Sequence, residues 1–369
     1  MLRCLYGYGD ASLMWYNLLS DTLTNFGYKR CDDEPCLFYK IFDEVYSLTA
    51  IVFDDMLIVS KPASANDALL AHLGKHFRMK ELGEPRFVLG MHVTRPSLHH
   101  ITVSQSLYIR KVAEKYKLTG TCPHTPATKD DVPSNGDDPD VPECPDRTKL
   151  YRSFIGSLLY CTLTRPDVCV ALGDLARIQK PKPRHVRQLK RVGAYLYHTR
   201  DLRLQLKPQN VVPGAELDGH GDASFDIDPD TSRSRSGVLA EFANCPIIWI
   251  AVYQEFVAFS VAEAEFAALN RTCREIVWLR RVLSEIGFPQ QHATAIYCDN
   301  SAAITLAEHN IATRPKTKHI LRRFNYIREQ QDAGRVKAVK VNGVDNPADF
   351  FTKVLDKCLF IKGRERFLR

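Results

Sequence analysis

The sequence contains no apolar stretch long enough to cross a bilayer, since Asp54 and Asp55 interrupt its most apolar part. A membrane-spanning helix needs roughly 18 or more consecutive apolar residues. The first residues also lack the apolar core and small-residue cleavage site that mark a secretory signal peptide. We therefore expect neither a membrane-embedded protein nor one secreted by a standard route, and we expect an intracellular location, cytoplasmic or nuclear.

Paired cysteines are missing as well. The 11 cysteines are scattered, no Cys-x-x-Cys pair occurs, and no group of histidines completes a zinc-binding pattern. An odd number of unclustered cysteines is typical of free thiols in a reducing compartment. No internal repeat is visible in the chain.

What remains is the composition of an ordinary globular protein. Of the 369 residues, 45% are hydrophobic and 25% are charged, so wholesale disorder and fibrous structure are excluded. At about 150 residues per domain, this length predicts two to three domains. The net charge of +7 favours polyanionic partners, although only weakly.

Two basic runs without acidic residues strengthen that indication. Residues 177–191 contain seven Lys or Arg, and residues 314–328 contain six together with His319. A solvated helix face explains one such run, but two of them in a chain with 43 acidic residues favour a track for phosphate groups. The candidate nucleic-acid-binding residues are Lys180, Lys182, Arg184, Arg187, Lys190, Arg191, Lys316, Lys318, Arg322 and Arg323.

Repeated prolines and acidic residues divide the chain. They predict an exposed linker at residues 123–147, because proline and like charges disfavour helices and strands. Apolar periodicity predicts helices at 11–25, 65–76, 106–116, 152–163 and 184–198, and a strand–turn–strand at 48–60. Beyond about residue 213, it predicts strands at 238–242, 247–252, 294–298 and 336–341, with a long helix after the second of them, a helix from 301 and a helix at 319–330. This order favours a mixed sheet flanked by helices.

Asp54 and Asp55 lie between two apolar runs that favour strands. Taken alone, such a pair is most simply the exposed turn of a hairpin. Adjacent carboxylates at the tip of a rigid hairpin could also hold divalent cations for phosphoryl transfer. The dipeptide does not decide between these readings, so its surroundings must.

Those surroundings carry a family pattern. It comprises Leu5-Tyr6-Gly7, Trp15-Tyr16, residues 33–39, Phe53-Asp54-Asp55, residues 79–84 and 87–91, residues 151–160 and Thr164-Arg-Pro-Asp167. In this order, the segments resemble the reverse transcriptase of copia-type LTR retrotransposon Pol polyproteins, and the resemblance covers essentially the whole chain. The palm of that family uses three carboxylates, of which the first lies well upstream of the Leu-Tyr-Gly segment. This resemblance therefore implies that the fingers and the first palm aspartate are absent here.

Two departures fit that implication. Phe53 replaces the valine of the usual Tyr-Val-Asp-Asp motif, and Asp10 replaces a usual glutamine. A two-metal site without one of its carboxylates is not expected to hold both ions in line. We therefore expect Asp54 and Asp55 to be the remnant of a polymerase site, with the polymerase inactive.

A second set of carboxylates lies in the last third of the chain. Asp222 has small neighbours in an apparent strand, although an aspartate there could simply begin a turn. Glu265 heads an apolar stripe of the long helix, where a carboxylate is costly unless it is paired or binds a cation. A role as a cap or dipole partner is the alternative for Glu265. Glu263, by contrast, completes a capping box with Ser260 and is expected to be structural.

The other two carboxylates also have ordinary explanations when taken singly. Asp299 precedes Asn300-Ser301 at a helix start and could be its N-cap. Asp349 follows Asn346-Pro-Ala, where it could lie in the first turn of the last helix. Together the four residues occupy a strand, a helix, a strand end and a final helix.

That order resembles the RNase H domain of the same retrotransposon family. The neighbouring segments recur too, namely residues 228–230, 234–237, 246–249, 262–266, 278–281, Tyr297-Cys-Asp-Asn300, 317–320 and 348–353. The resemblance implies that Asp222, Glu265, Asp299 and Asp349 bind metal and catalyse hydrolysis. Phe225, Ile250 and Leu321 depart from the pattern, and this drift favours the alternative of an inactive remnant.

We expect an α/β (α+β) protein, a partial reverse-transcriptase palm and thumb followed by an RNase H-like mixed-sheet domain. The expected parts are a truncated palm and thumb at 1–122, the linker at 123–147, a helical connection at 148–210 and an RNase H-like domain at 211–369. The expected function is Mg²⁺- or Mn²⁺-dependent hydrolysis of RNA in RNA–DNA hybrids. The alternative is a catalytically dead transposon remnant that at most binds nucleic acid, whereas residues 1–210 disfavour a cellular ribonuclease H.

Overall fold

A computed structural model describes residues 10–120, 122–129, 132–136, 138–208, 216–308 and 326–369. The chain forms two compact units. The first comprises the residues up to Pro85 together with Trp278–Gln290, and the second comprises Arg86–Val277 with Gln291–Arg369. No helix in the described part of the chain is long and apolar enough to cross a membrane.

The first unit is a four-stranded antiparallel sheet packed against two helices. Its elements are α1 (Ala11–Asn25), β1 (Lys29–Arg30), β2 (Leu37–Phe42), β3 (Val45–Val52), β4 (Asp55–Lys61) and α2 (Ala63–Leu73). The strands lie in the order β1-β2-β3-β4. Alternate residues of β3 are buried, as expected of a strand with one face on a core. That core is formed with Leu19 and Leu23 of α1 and Leu69 and Leu73 of α2.

The second unit contains the remaining elements. They are β5 (Phe87–Val88), β6 (Met91–Ser97), β7 (His100–Ser104), α3 (Ser106–Tyr116), α4 (Pro145–Leu159), α5 (Cys169–Ala176), α6 (Pro183–His198), β8 (Leu204–Leu206), β9 (Leu217–Ser224), β10 (Arg235–Phe242), β11 (Cys245–Tyr253), α7 (Val261–Glu285, in this unit to Val277), β12 (Thr294–Cys298), α8 (Ser301–Glu308), β13 (Val336–Lys340) and α9 (Lys357–Phe367). Short 3-10 helices lie at Tyr160–Leu163, Pro166–Val168, Gly343–Asp345 and Pro347–Phe351.

Two sheets organise this unit. The smaller has the order β5-β6-β7-β8, and the larger has the order β11-β10-β9-β12-β13. In the larger sheet β11, β10 and β9 pair antiparallel, whereas β9, β12 and β13 pair parallel. The expectation of a mixed sheet flanked by helices is therefore confirmed.

Polar and backbone contacts join the helices after the linker to this larger sheet. Buried Asp174 of α5 accepts hydrogen bonds from the guanidinium of Arg235 on β10 and from the hydroxyl of Tyr253 on β11, the latter at 2.6 Å. The backbones of Arg203 and Arg369 exchange two hydrogen bonds, of 2.8 and 3.1 Å. One hydrophobic core includes residues of α3 to α6, Phe351 and α9. The apolar side chains of these segments are therefore buried against one another.

The element boundaries refine several sequence predictions. Helix α4 begins at Pro145 rather than at residue 152, because proline suits the first helical position. Strand β10 begins at Arg235, three residues earlier than predicted, since the charge of this buried arginine is balanced by Asp174. Part of the helix predicted at 319–330 lies outside the described residues. The division into four parts at 122, 147 and 210 stays a prediction.

Candidate metal centre

Two glycines of β9 let helix α7 approach the strand that carries Asp222. A Cβ atom at Gly219 would lie 2.9 Å from atoms of Thr272 and Ile276, and one at Gly221 would lie 2.8 Å from the Thr272 hydroxyl. Helix and strand therefore pack at backbone distance. The small residues around Asp222 make room for α7, and α7 brings Glu265 to the same region.

Asp222 is buried near the end of β9. Its Oδ2 accepts a hydrogen bond of 2.7 Å from the Thr352 hydroxyl. Burial raises the pKa of Asp222 to about 7, and the nearby charges of Asp349 and Asp299 act in the same direction. Because loss of solvation disfavours the ionised form, a nearby cation would stabilise this carboxylate.

Burial disfavours the ionised form of Glu265 more strongly than that of Asp222. Glu265 is 5% exposed, and its Oε2 atom has no hydrogen-bond partner within the described ranges. Burial, followed by the charges of Asp222 and Asp299, raises the pKa of Glu265 to about 9. Glu263 differs, since its amide donates to Ser260 Oγ at 3.2 Å and its side chain accepts from the Phe259 amide at 2.7 Å. Glu263 is thus a partner of the helix start, as predicted.

Asp299 follows β12 directly and is not the cap of α8. Asn300 takes that role, because its Oδ1 accepts the hydrogen bond of the Ala303 amide at 3.0 Å. The Asp299 carboxylate is thereby left for the site. A Cβ atom at Gly343 would lie 2.8 Å from Asp299 Oδ2, so glycine leaves the room that this carboxylate occupies.

Asp349 lies in the 3-10 helix Pro347–Phe351, which Asn346 caps by accepting from the Ala348 amide at 3.2 Å. Its Oδ1 atom is 2.5 Å from the ammonium of Lys353. Burial opposes charging of Lys353, but the hydrogen bond and charge of Asp349 outweigh it, so its pKa is raised. Lys353 is therefore a cationic partner of Asp349.

The four predicted carboxylates are thus close enough to perturb one another. A set of carboxylate oxygens, one of them buried and without a partner, fits a hard divalent cation such as Mg²⁺. Each of the four residues could hold such an ion. Sequence reasoning did not find Thr352, because its partner Asp222 lies 130 positions away. It also missed Lys353, although the spacing of four residues from Asp349 is a local signal for such an ion pair.

Cys298 is a further side chain that sequence reasoning left out of the site. It is fully buried at the end of β12, and burial raises the pKa of its thiol to about 12. Its Sγ atom and carboxylate oxygens of Glu265 and Asp299 all lie within 4.8 Å of one another. The alternation of side chains along β12 could not predict that Cys298 lies near Glu265, because Glu265 belongs to α7.

A second cluster of this kind surrounds His220 on β9. Its Nε2 atom lies 3.4 Å from Asp218 Oδ1 and 3.6 Å from Glu241 Oε2. Arg366 also pairs with Glu241, at 2.5 Å. Hydrogen bonds and charges of the two carboxylates outweigh the effect of burial and raise the pKa of His220. His220 and Arg366 thus already serve as partners of these two carboxylates, which indicates a structural role.

Asp54 and Asp55 lie in a different setting. They form the exposed tip of the β3–β4 hairpin, where Phe53 has a φ of 52° and Val52 pairs with Asp55. Within the described ranges, neither belongs to a group of three side chains that could hold a metal ion. The geometry of the tip is that of a solvated turn.

Some residues of the first basic run already have partners in the chain. The Lys180 ammonium lies 2.7 Å from a carboxylate oxygen of Glu143 on the surface. Lys182 is buried, and its ammonium donates to the Val141 carbonyl. These two lysines support the segment before α4, so a phosphate would have to compete with those contacts.

Other residues of that run face solvent on α6. Arg187 and Lys190 are exposed, whereas Arg184 and Arg191 are half-buried. Arg191 donates to the Thr125 hydroxyl at 3.3 Å. The predicted residues of the second run lie outside the described residues; they are Lys316, Lys318, Arg322 and Arg323. A nucleic-acid role for both runs stays a prediction.

Comparison with known proteins gives the relatives of this chain. Residues 1–129 match the family model described as reverse transcriptase (RNA-dependent DNA polymerase). The chain is 32% identical, over 97% of its length, to the retrovirus-related Pol polyprotein from transposon TNT 1-94 of Nicotiana tabacum. It is related to the Pol polyproteins of copia-type retrotransposons. A second relative, from transposon RE1 of Arabidopsis thaliana, is 29% identical over 97% of this chain.

The match covers only part of these Pol polyproteins. The chain spans 27% of the tobacco polyprotein and 24% of the Arabidopsis one. Among solved structures, the foamy viral protease-reverse transcriptase in complex with dsDNA is similar with a TM-score of 0.50 and 12% identity, covering 92% of this chain and 60% of that one. This likeness shows the fold of the chain, a reverse-transcriptase and RNase H-like arrangement of helices and sheets.

Proposed function

We propose that this Pol-related chain hydrolyses the RNA strand of RNA–DNA hybrids in a reaction that needs Mg²⁺ or Mn²⁺. The observation that carries the proposal is the convergence of Asp222, Glu265, Asp299 and Asp349, with one buried Glu265 oxygen that has no hydrogen-bond partner in the described part of the chain. Retaining unpaired buried carboxylates is costly for a fold. A bound cation removes that cost.

The chain's own residues would divide the work as follows. The four carboxylates hold and orient the ions, and the Thr352 hydroxyl fixes one oxygen of Asp222. Lys353 holds Asp349 in place through their ion pair. When bound, two divalent ions supply an activated water and neutralise charge on the leaving oxygen. Selectivity for RNA would come from contacts to 2′-hydroxyls across the wide minor groove of the hybrid.

Substrate binding is supported by the exposed cations of α6. Arg187 and Lys190 lie three residues apart and face solvent, so they share one face of the helix. Such a face suits phosphate groups of a duplex. The same observation favours the second candidate function, a remnant that binds nucleic acid without cleaving it.

Polymerase activity is not part of the proposal. Asp54 and Asp55 are two exposed carboxylates on a turn, and in the described part of the chain no third ligand joins them. We propose that this hairpin does not support nucleotide addition. An intracellular location belongs to the same proposal, since every described cysteine is a free thiol.

The deciding experiment is cleavage of a labelled RNA–DNA hybrid by the full chain at high enzyme concentration. We expect cleavage that requires Mg²⁺ or Mn²⁺, stops with EDTA and leaves 5′-phosphate ends. Asp222→Asn and Asp299→Asn should each lower the rate by roughly 100-fold or more, because even outer partners of metal ligands are worth 10–100-fold.

Glu263→Gln is the matched control, since this carboxylate lies on the same helix as Glu265 but only supports its start. It should retain most of the cleavage and lose at most about 1 kcal/mol of stability. If wild type and Asp299→Asn are equally inactive while both are folded by circular dichroism, the binding-only function is correct.

A further inference from the structure

Cys298 places a sulfur atom against two of the candidate metal ligands. The residue is fully buried at the end of β12. Its Sγ atom, a carboxylate oxygen of Glu265 and one of Asp299 lie within 4.8 Å of one another. Three potential ligand atoms at this spacing need only small side-chain rotations to reach a common ion.

A second observation points to a ligand at this place. Glu265 is only 5% exposed, and its Oε2 atom has no hydrogen-bond partner among the residues that the structure describes. The Asn300 amide also points at the sulfur, with an N–S distance of 3.5 Å. This contact holds the sulfur in position beside the two carboxylates. The site therefore offers an orphaned carboxylate oxygen and a positioned sulfur together.

Ligand chemistry separates two kinds of ion here. Mg²⁺ takes oxygen ligands and has little use for sulfur. Zn²⁺ and other thiophilic ions bind thiolate together with carboxylate oxygens. We propose that Cys298, Glu265 and Asp299 bind a thiophilic divalent cation of the Zn²⁺ or Cd²⁺ class. This inference rests on the proposed function only in that Glu265 and Asp299 are shared with the magnesium site.

Binding of the ion exchanges a proton for a metal ion and needs no oxidant or reductant. The S–H bond of Cys298 breaks, a metal–sulfur bond forms, and the proton passes to buffer. Two carboxylates and one thiolate then surround the ion, and solvent or another carboxylate completes its coordination. Because Glu265 and Asp299 cannot serve both ions at once, the thiophilic ion excludes the hydrolytic arrangement and inhibits it.

The test is a titration of the full, reduced chain with Cd²⁺, followed by the ultraviolet charge-transfer band of cadmium–thiolate bonds. Wild type should give a band for the first equivalent of Cd²⁺, with release of a proton. In Cys298→Ser that first band should disappear and the affinity should fall at least about tenfold. Cys273→Ser is the matched control, since Cys273 is equally buried on α7 and should keep the band.

Two further variants protect the result against misfolding. Cys298→Ala replaces the thiol by a small apolar group and should also lack the band while melting normally. Glu265→Gln should keep the sulfur band but weaken Cd²⁺ binding. An unchanged first band in Cys298→Ser and Cys298→Ala would overturn the inference, because the sulfur would then come from another cysteine.

Inhibition supplies an independent measurement. Zn²⁺ added to the Mg²⁺-dependent reaction should inhibit the wild type at concentrations at least about tenfold lower than those needed for Cys298→Ala. If the chain never cleaves hybrid but the band depends on Cys298, the thiophilic site holds and only the proposed function fails. If cleavage occurs and no band depends on Cys298, this inference alone is wrong.

Discussion

The chain carries two groups of carboxylates, and their surroundings differ in every respect that matters for metal binding. Asp54 and Asp55 are exposed on a turn, where water solvates both charges. Asp222 and Glu265 are buried among other acids, and burial raises their pKa values to about 7 and about 9. The first pair costs the fold nothing. In the second group, burial and mutual repulsion disfavour the ionised carboxylates, and a bound cation would relieve both effects.

This difference shows that motif resemblance alone does not measure function. Both groups match motifs of the same family of polyproteins. Only the second is assembled from a strand, a helix, a strand end and a 3-10 helix, with glycines that permit the close approach. The predictions below test whether that difference in environment is a difference in chemistry.

The largest expected contrast is between equivalent substitutions in the two groups. Asp54→Asn and Asp55→Asn should leave hybrid cleavage within about twofold of wild type, because neither carboxylate is one of the four candidate metal ligands. Asp222→Asn should lower it by roughly 100-fold or more. Primer extension on a homopolymer template should be absent from all of them. Template-dependent incorporation that vanishes in Asp54→Asn would show that the hairpin is a working site.

A steric substitution should have the next largest effect. Gly343→Ala places a methyl group 2.8 Å from Asp299 Oδ2 and should displace that carboxylate, with a loss of about 10–100-fold in cleavage. Gly156→Ala is the matched control, since a Cβ atom there meets nothing within 4 Å. Equal rates for the two variants would mean that Asp299 does not need its observed position.

The pH dependence of stability separates the groups without any substrate. In EDTA, the native state keeps protons on Asp222 and Glu265 that the unfolded chain has lost, so the free energy of unfolding should fall as pH rises above about 5. Each such group contributes a slope of about 1.4 kcal/mol per pH unit until its native pKa is reached. Thermal melts of Asp222→Asn should show a shallower decline, and Mg²⁺ should reduce it in the wild type. Parallel curves for wild type and variant would contradict the burial argument.

The smallest effect concerns the basic face of α6. Arg187→Ala and Lys190→Ala should each reduce the salt dependence of hybrid binding by about one counterion per lost phosphate contact. Lys180→Ala should change it less, because that lysine is already paired with Glu143. Filter-binding titrations over a range of salt concentrations provide the measurement. Identical slopes for all three variants would show that α6 does not contact the duplex.

Sequence reasoning recovered the order of the elements well but not the choice among nearby polar residues. The strand at Thr294–Cys298 and the helix at Ser301 were predictable from apolar spacing. Whether Asp299 or Asn300 caps that helix was not, because both side chains can accept the same hydrogen bond. Only the three-dimensional structure assigns the cap to Asn300.

Partners distant in sequence were beyond any local pattern. Thr352 reaches Asp222 across 130 positions, and Arg235 meets Asp174 across 61. A buried arginine in a strand is unexpected until its acid is known. The resemblance to a family named the four carboxylates, whereas the contacts that hold them had to come from the fold.

Two sets of contacts tie the residues before 210 to those after it. They are the hydrogen bonds of Asp174 with Arg235 and Tyr253, and the backbone hydrogen bonds between Arg203 and Arg369. The RNase H-like sheet is therefore not a unit that a cut near residue 210 would release intact. Such a cut would strip Arg235 of its counter-charge and leave the chain's final residues without their neighbours. A chimera, or a transposon that exchanges this part by recombination, would have to carry the preceding helices with it.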